Sequence, residues 1–194
     1  IGGLGDDKYV VDSAADVITE AVGEGADWVT SSVGWTLGDH LENLVLSGSS
    51  SLLGRGNDLN NRIEGNAGNS TLDGGLGRDT LVGGAGADTF RFASAVSYGI
   101  DAADRILSFN IALGDRIAID RVAFGIGAAS ASLTSVDSAG IANAFRTSNL
   151  FVYNTTNGQL FHNANGSAAG FGAGGVFALL SGSPALQLSS LVLQ

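Results

Sequence analysis

The residues of this chain best suited to chemistry are aspartates set at the sixth place of glycine-rich turns. Gly83–Arg91 reads GGAGADTFR, with Asp88 sixth, and Gly74–Val82 reads GGLGRDTLV, with Asp79 sixth. Near the start, Gly2–Val10 (GGLGDDKYV) has Asp7 in that place, and the looser Val22–Thr30 (VGEGADWVT) has Asp27. Carboxylates and turn carbonyls are hard oxygen donors. If such turns stack, both are aimed into the gap between them, an all-oxygen, six-coordinate setting that suits Ca²⁺. Two further turns, GNDLNNRIE from Gly56 and GNAGNSTLD from Gly65, carry Asn61 and Ser70 at the sixth place. Fewer carboxylates there imply weaker or empty sites.

Spacing shows what must position these groups. From Gly56 to Arg91 four nonapeptides follow one another without a gap, their first glycines at 56, 65, 74 and 83. Ile63, Leu72, Leu81 and Phe90 keep the same period of nine. The first six residues of each unit turn the chain, because glycine permits positive φ and close backbone approach. The last three form a short strand whose middle residue points inward. Turns alternate sides, so one coil takes two nonapeptides and same-side turns lie 18 residues apart. No coil buries its apolar face alone, so neighbours and caps are required. The two opening turns are 20 apart, an excess assigned to a bulge at Asp12–Asp16. Gly38–Asn43 is expected to turn the opposite side and lead into the strand Leu44–Leu46.

The fold expected is all-β. A parallel roll occupies residues 1–92, with irregular coils over 11–55, and an antiparallel sheet or sandwich over 93–194 caps it. Ser148–Phe161 reads as a hairpin turning at Thr155–Gly158, Gly175–Leu180 and Leu186–Leu193 as strands, and Ser135–Arg146 as a short helix or loop. An open roll end exposes strand edges, so a cap is physically required. Trp28, next to an inward Val29, should face outward.

Composition excludes several functions. The net charge of −10 has the wrong sign for nucleic acid and for an anionic membrane. Asp outnumbers Glu, which favours turns and hard-cation ligation over helices. There is no cysteine, hence no disulfide or thiol chemistry. No apolar run of about 18 residues spans a membrane. His40 and His162 stand in no metal-ligand spacing and read as surface residues. His-Glu-x-x-His and GxSxG are both missing, so no enzyme is expected. The absence of Met is expected of a segment of something longer.

The nonapeptides resemble the RTX calcium-binding proteins that Gram-negative bacteria secrete through type I machinery. GGLGRDTLVGGAGADTFRF followed by DRILSFNIALGDRIAID is similar to the C-terminal regions of serralysin-type proteases and mannuronan epimerase modules. NGQLFHNANGSAAG and FALLSGSPALQLSSLVLQ resemble the terminal strands and secretion-signal region of such proteins. The resemblance implies ligands from turns one coil apart. One set is the carbonyls of Gly3 and Gly5 with Asp7, facing those of Val22 and Glu24 with Asp27. A second is Asn57, Leu59 and Asn61 facing Gly74, Leu76 and Asp79. A third is Asn66, Gly68 and Ser70 facing Gly83, Ala85 and Asp88. Beyond the repeats, Gly75, Gly77 and Asp79, and likewise Gly84, Gly86 and Asp88, are expected to share ions with Asp101 or Asp104. Ser108, Asn163 and Asn165 stand where the family usually has Asp.

The resemblance thus implies a non-catalytic, extracellular Ca²⁺-binding module that folds on meeting Ca²⁺ and supports type I secretion and stability of a larger secreted protein. Two alternatives stay open. One is a carbohydrate-binding module for an alginate-like polysaccharide, for which Arg55, Arg62, Arg78 and Arg91 form a candidate row. The other is an adhesin or surface-layer segment.

Overall fold

The structure is a computed structural model that describes every residue except 1, 95–97, 166, 167, 169 and 171. Residues 166, 167 and 169 fall within the segment likened to terminal strands, so that likeness lies partly outside the described residues.

The short strands are β1 (Lys8–Val11), β2 (Trp28–Ser31), β3 (Trp35–Thr36), β4 (Asn43–Leu46), β5 (Leu53–Arg55), β6 (Arg62–Glu64), β7 (Thr71–Asp73), β8 (Thr80–Val82) and β9 (Thr89–Phe92). They are followed by β10 (Asp104–Ile106), β11 (Arg116–Ile119), β12 (Leu133–Val136), helix α1 (Ile141–Ala144), β13 (Phe151–Asn154), β14 (Gln159–His162), β15 (Gly175–Leu180) and β16 (Leu191–Leu193). Two sheets result. One runs β1-β2-β4-β6-β8-β10-β15-β14-β13-β12 and the other β16-β11-β9-β7-β5-β3. From β4 to β9 successive strands alternate between sheets, so the chain winds as a parallel roll.

The register follows the apolar period. Leu44, Ile63 and Leu81 are parallel partners in the first sheet, as are Leu72 and Phe90 in the second. All five are fully buried. Each such side chain contributes about 1.5–3 kcal/mol of burial. Gly54 takes an inward place on β5 because Ile63, Leu44 and Leu46 already fill the space, each 3.2 Å from where its Cβ would be.

Three features depart from expectation. Trp28 pairs with Asn43, so residues 37–42 turn the same side as 22–27, not the opposite one. Only fifteen residues separate Asp27 from Glu42, and this short coil returns to its own side after the two-residue β3. The antiparallel cap is confined to β13-β14-β15, while β10–β15, β11–β16 and β12–β13 pair in parallel. The roll therefore continues past residue 92, and its apolar core runs through Ile106, Ile117 and Phe177. The hairpin at 151–162 and the strand Gly175–Leu180 form where the pattern placed them. Of Leu186–Leu193 only the last three residues are strand.

Candidate metal centres

Sixth-place side chains form two ladders along the turns. On the side leading into the larger sheet, the Asp7 N–H donates to Asp27 Oδ1 (2.8 Å) and the Asp27 N–H to Glu42 Oε2 (2.9 Å). Further along, the Asn61 N–H donates to Asp79 Oδ1 and the Asp79 N–H to Asp104 Oδ1, both at 2.8 Å. On the other side the Ser70 N–H donates to Asp88 Oδ1 (2.8 Å) and the Asp88 N–H to Asp115 Oδ1 (2.9 Å). Each carboxylate thus ties its turn to the coil before it.

That uses one oxygen of each group. The second, Oδ2 of Asp27, Asp79 and Asp88, is buried without a hydrogen-bond partner, and so is Oδ2 of Asp7. A buried acceptor left this way is expensive. Carbonyls gather around the same gaps. Those of Asn57 and Leu59 stand where side chains on Gly75 and Gly77 would begin, and those of Asn66 and Gly68 meet Gly84 and Gly86. From the facing turns, the Gly74 and Gly83 carbonyls approach Gly56 and Gly65. Gly75 and Gly77, at φ 96° and 108°, combine this closeness with a conformation that disfavours any Cβ. Donor-less carboxylate oxygens among carbonyls from two turns are a ligand set that fits Ca²⁺.

Electrostatics agree. Burial, reinforced by the charge of Asp104, pushes the Asp79 carboxyl up to about 8. Burial also raises Asp104 to about 7. It raises Asp88 to about 6, with Asp115 adding to the rise. A bound divalent cation reverses this preference and holds the groups ionised.

Two other gaps are closed differently. Asn57 Nδ2 donates to the carbonyls of Gly38 (2.7 Å) and Leu41 (2.8 Å), and Asn61 Nδ2 to Leu41 (3.1 Å). Asn66 Nδ2 donates to Ser47 (3.1 Å) and Ser50 (2.9 Å). Ser70 Oγ accepts from the Asn66 N–H and donates to Asn66 Oδ1, closing its own turn. Here side-chain amides satisfy carbonyls of the preceding coil with no charge involved.

At the first gap, Asp7, Glu20 and Asp27 each place an oxygen within 4.8 Å of the others. The Tyr9 hydroxyl donates to Glu20 Oε2, which lowers the Glu20 carboxyl and pushes Tyr9 up to about 12. The Glu24 carbonyl accepts from the Gly5 N–H, and the Gly5 carbonyl stands at Gly25.

Beyond the repeats, Asp104 is the residue that meets Asp79, while Asp101 is exposed. Asp88 meets Asp115, whose Oδ2 also accepts from the Asn110 N–H that opens its turn. Asp115, Glu42 and Glu20 were not among the sequence candidates. Asp115 lies 27 residues after Asp88, Glu42 is a Glu in an Asp place, and Glu20 is off the nonapeptide pattern. The "LGD" preceding β11 was the available signal for Asp115. Ser108 Oγ accepts from the Gly83 N–H (2.8 Å).

Two other expectations change. His162 is buried, not on the surface: the hairpin carries it under Phe124 and Phe151, and its Nδ1 pairs with the Tyr98 hydroxyl at 2.8 Å. The arginine row is split between sheets because successive nonapeptides alternate sides. Arg55 and Arg91 flank buried Asp73 on one sheet, and Arg62 pairs with Glu64 on the other. Trp28 is half-buried beside a fully buried Val29.

Residues 55–90 match the RTX calcium-binding nonapeptide repeat in four copies. No curated protein matches the chain. Among solved structures, the chain is similar to the AlgE6R3 subunit of the Azotobacter vinelandii mannuronan C5-epimerase. Identity is 27%, coverage is 92% of this chain and 86% of that one, and the TM-score is 0.40.

Proposed function

We propose that the chain is a non-catalytic RTX module that couples Ca²⁺ binding to folding in a larger secreted protein, a reading supported by the match of residues 55–90 to the RTX calcium-binding nonapeptide repeat. The observation that supports this most is the set of buried Oδ2 atoms without partners at Asp79 and Asp88, facing carbonyls of the adjoining turns. The proposed ligands are the carboxylates of Asp7, Asp27, Asp79, Asp88, Asp104 and Asp115 with the turn carbonyls of Gly3, Gly5, Val22, Glu24, Asn57, Leu59, Gly74, Leu76, Gly83 and Ala85. Calcium supplies the positive charge that lets Asp79, Asp88 and Asp104 ionise in place.

At cytosolic Ca²⁺ and neutral pH the raised carboxyls disfavour the closed coils around residues 74–115. Outside the cell, Ca²⁺ at millimolar levels suits modules with Kd of roughly 10⁻⁴–10⁻³ M. Binding then becomes folding free energy. A chain kept open until it leaves the cell fits export by type I machinery. No helix among the described residues is long and apolar enough to cross a membrane. Far-UV circular dichroism tests the coupling. Strand signal should rise with 10 mM Ca²⁺ and fall with chelator, and identical spectra at both extremes refute it.

One observation favours a second role. Arg78 and Arg105 line a cleft of about 400 Å³ with Asn157, Gln159 and Ser181, and none of the described acidic residues lines it. Two guanidinium forks beside amides suit a carboxylated sugar. Calorimetry of the calcium-loaded chain with alginate oligomers tests this, and binding unaltered by R78A/R105A counts against it.

A further inference from the structure

The first coil is longer than the regular ones: Asp7 and Asp27 stand 20 residues apart, whereas Asn61 and Asp79 stand 18 apart. The extra chain does something specific. Among the described residues, the segment between β1 and β2 contributes no strand to the second sheet. It turns at Asp12–Asp16, where Asp16 Oδ2 accepts from the Ser13 N–H (3.2 Å), and then returns without regular secondary structure. That return delivers Glu20 to the Gly2–Asp7 turn. Glu20 is only 8% exposed, and its Oε1 accepts from the Gly3 N–H (3.4 Å) while Tyr9 donates to Oε2.

An acidic cluster alone would not make a site. Here a second observation is present: Asp27 is fully buried and its Oδ2 has no hydrogen-bond partner. The oxygens of Asp7, Glu20 and Asp27 lie within 4.8 Å of one another, a spread that one cation with Ca²⁺–O distances of roughly 2.3–2.6 Å spans. Gly2 makes room for the convergence, since a Cβ there would run into Asp7 Oδ2 and the Tyr9 hydroxyl.

We propose that Glu20, a residue outside the nonapeptide pattern, is the third carboxylate of the first cation site and makes it the tightest Ca²⁺ site of the chain. This deepens the calcium-binding reading and rests on it. The regular gaps hold fewer carboxylates: Asp79 with Asn61, Asp88 with Ser70, Asp79 with Asp104, Asp88 with Asp115. Affinity in all-oxygen sites rises with ligand charge. The longer coil is thus a device for bringing in an extra charge, and the first gap fills before the others.

The test is calorimetric titration of the full chain with Ca²⁺, as wild type, Glu20→Gln and Tyr9→Phe. Gln keeps an acceptor for the Tyr9 hydroxyl and loses the charge, along with the acceptor facing the Gly3 N–H. Phe removes the hydrogen bond and leaves the carboxylate. Glu20→Gln should weaken the tightest step on the order of tenfold or more and leave the later steps in place. Tyr9→Phe should retain that step. Wild-type and Glu20→Gln titrations that superimpose overturn the proposal. So does loss of the step in Tyr9→Phe to the same extent, because Glu20 would then act only by positioning. A wild type that takes up no Ca²⁺ at all refutes the underlying calcium reading instead, a result distinct from both.

Discussion

Replacing Asp79 by Asn should stabilise the metal-free fold at high pH, and by much less once calcium is bound. Asp79 is fully buried, its Oδ1 holds the Asn61 N–H, and its Oδ2 has no partner. Its carboxyl is raised from 3.8 to about 8, by burial first and then by Asp104. Because the folded value lies above the unfolded one, the stability this group contributes is fully present below about pH 4 and is lost as pH rises through about 8. Each pH unit is ~1.4 kcal/mol, so ionising Asp79 in the metal-free fold costs about 6 kcal/mol at most. That rivals the whole stability of an ordinary domain, about 5–15 kcal/mol. Asn keeps the Oδ1 acceptor and removes the charge. Urea unfolding in EDTA at pH 8.5 should therefore show the variant more stable than wild type by about 2–5 kcal/mol. With an m-value of ~2 kcal/mol/M, its midpoint moves up by about 1–2.5 M. At pH 4.5 the two should nearly coincide. In 10 mM Ca²⁺ at pH 8.5 that advantage should shrink, since a site of Kd ~10⁻⁴ M contributes about 2.7 kcal/mol that the variant forfeits in part. An Asp79→Asn variant less stable than wild type in EDTA at pH 8.5 refutes the reasoning.

Three further substitutions separate metal, hydrogen-bond and core contributions. Gly77→Ala puts a Cβ against the Leu59 carbonyl at φ 108° and should cost about 1–3 kcal/mol while removing a Ca²⁺-binding step, read by urea unfolding and calorimetry. Asn66→Ala removes the amide that bridges to Ser47 and Ser50, so a loss of about 1–3 kcal/mol should be equal in EDTA and in Ca²⁺. A loss seen only with Ca²⁺ would show that Asn66 acts through an ion. Leu81→Ala, fully buried between Ile63 and Ile106, should cost about 2–5 kcal/mol in thermal or urea unfolding of the calcium-loaded protein.

How far the sequence reveals the structure depends on where the period holds. Between Gly56 and Arg91 it holds without a break. There the inward residues Ile63, Leu72, Leu81 and Phe90, the alternation of sheets and the turn carboxylates Asp79 and Asp88 are all readable from spacing. The inward apolar residue and the glycine turn are both local requirements, so each unit carries its own instructions. Outside that stretch, coil length varies, from 15 residues at Asp27–Glu42 to 27 at Asp88–Asp115. Variable loops absorb the difference, and no local pattern tells which side the next turn will take. Glu42 and Asp115 are placed by strand pairing over coils of irregular length, so pairing rather than motif identifies them. His162 shows the same limit in the cap. Its burial comes from Phe151 across the hairpin, from Phe124 and from Tyr98, 64 residues away.

The mixture of carboxylate-lined and amide-closed gaps implies a roll of two characters. Around β4–β7, the amides of Asn57, Asn61 and Asn66 satisfy the facing carbonyls without a cation. From Gly74 to Asp115, buried carboxyls raised to about 6 to 8 oppose closure at neutral pH unless a cation is bound. Hydrogen–deuterium exchange of the full chain at pH 7.5, in chelator and in 10 mM Ca²⁺, tests this most directly. The predicted result is strong calcium-induced protection of amides between 74 and 115, Asp79 and Asp88 among them, with a smaller change over 43–66. Equal protection of 74–115 in both conditions would contradict it.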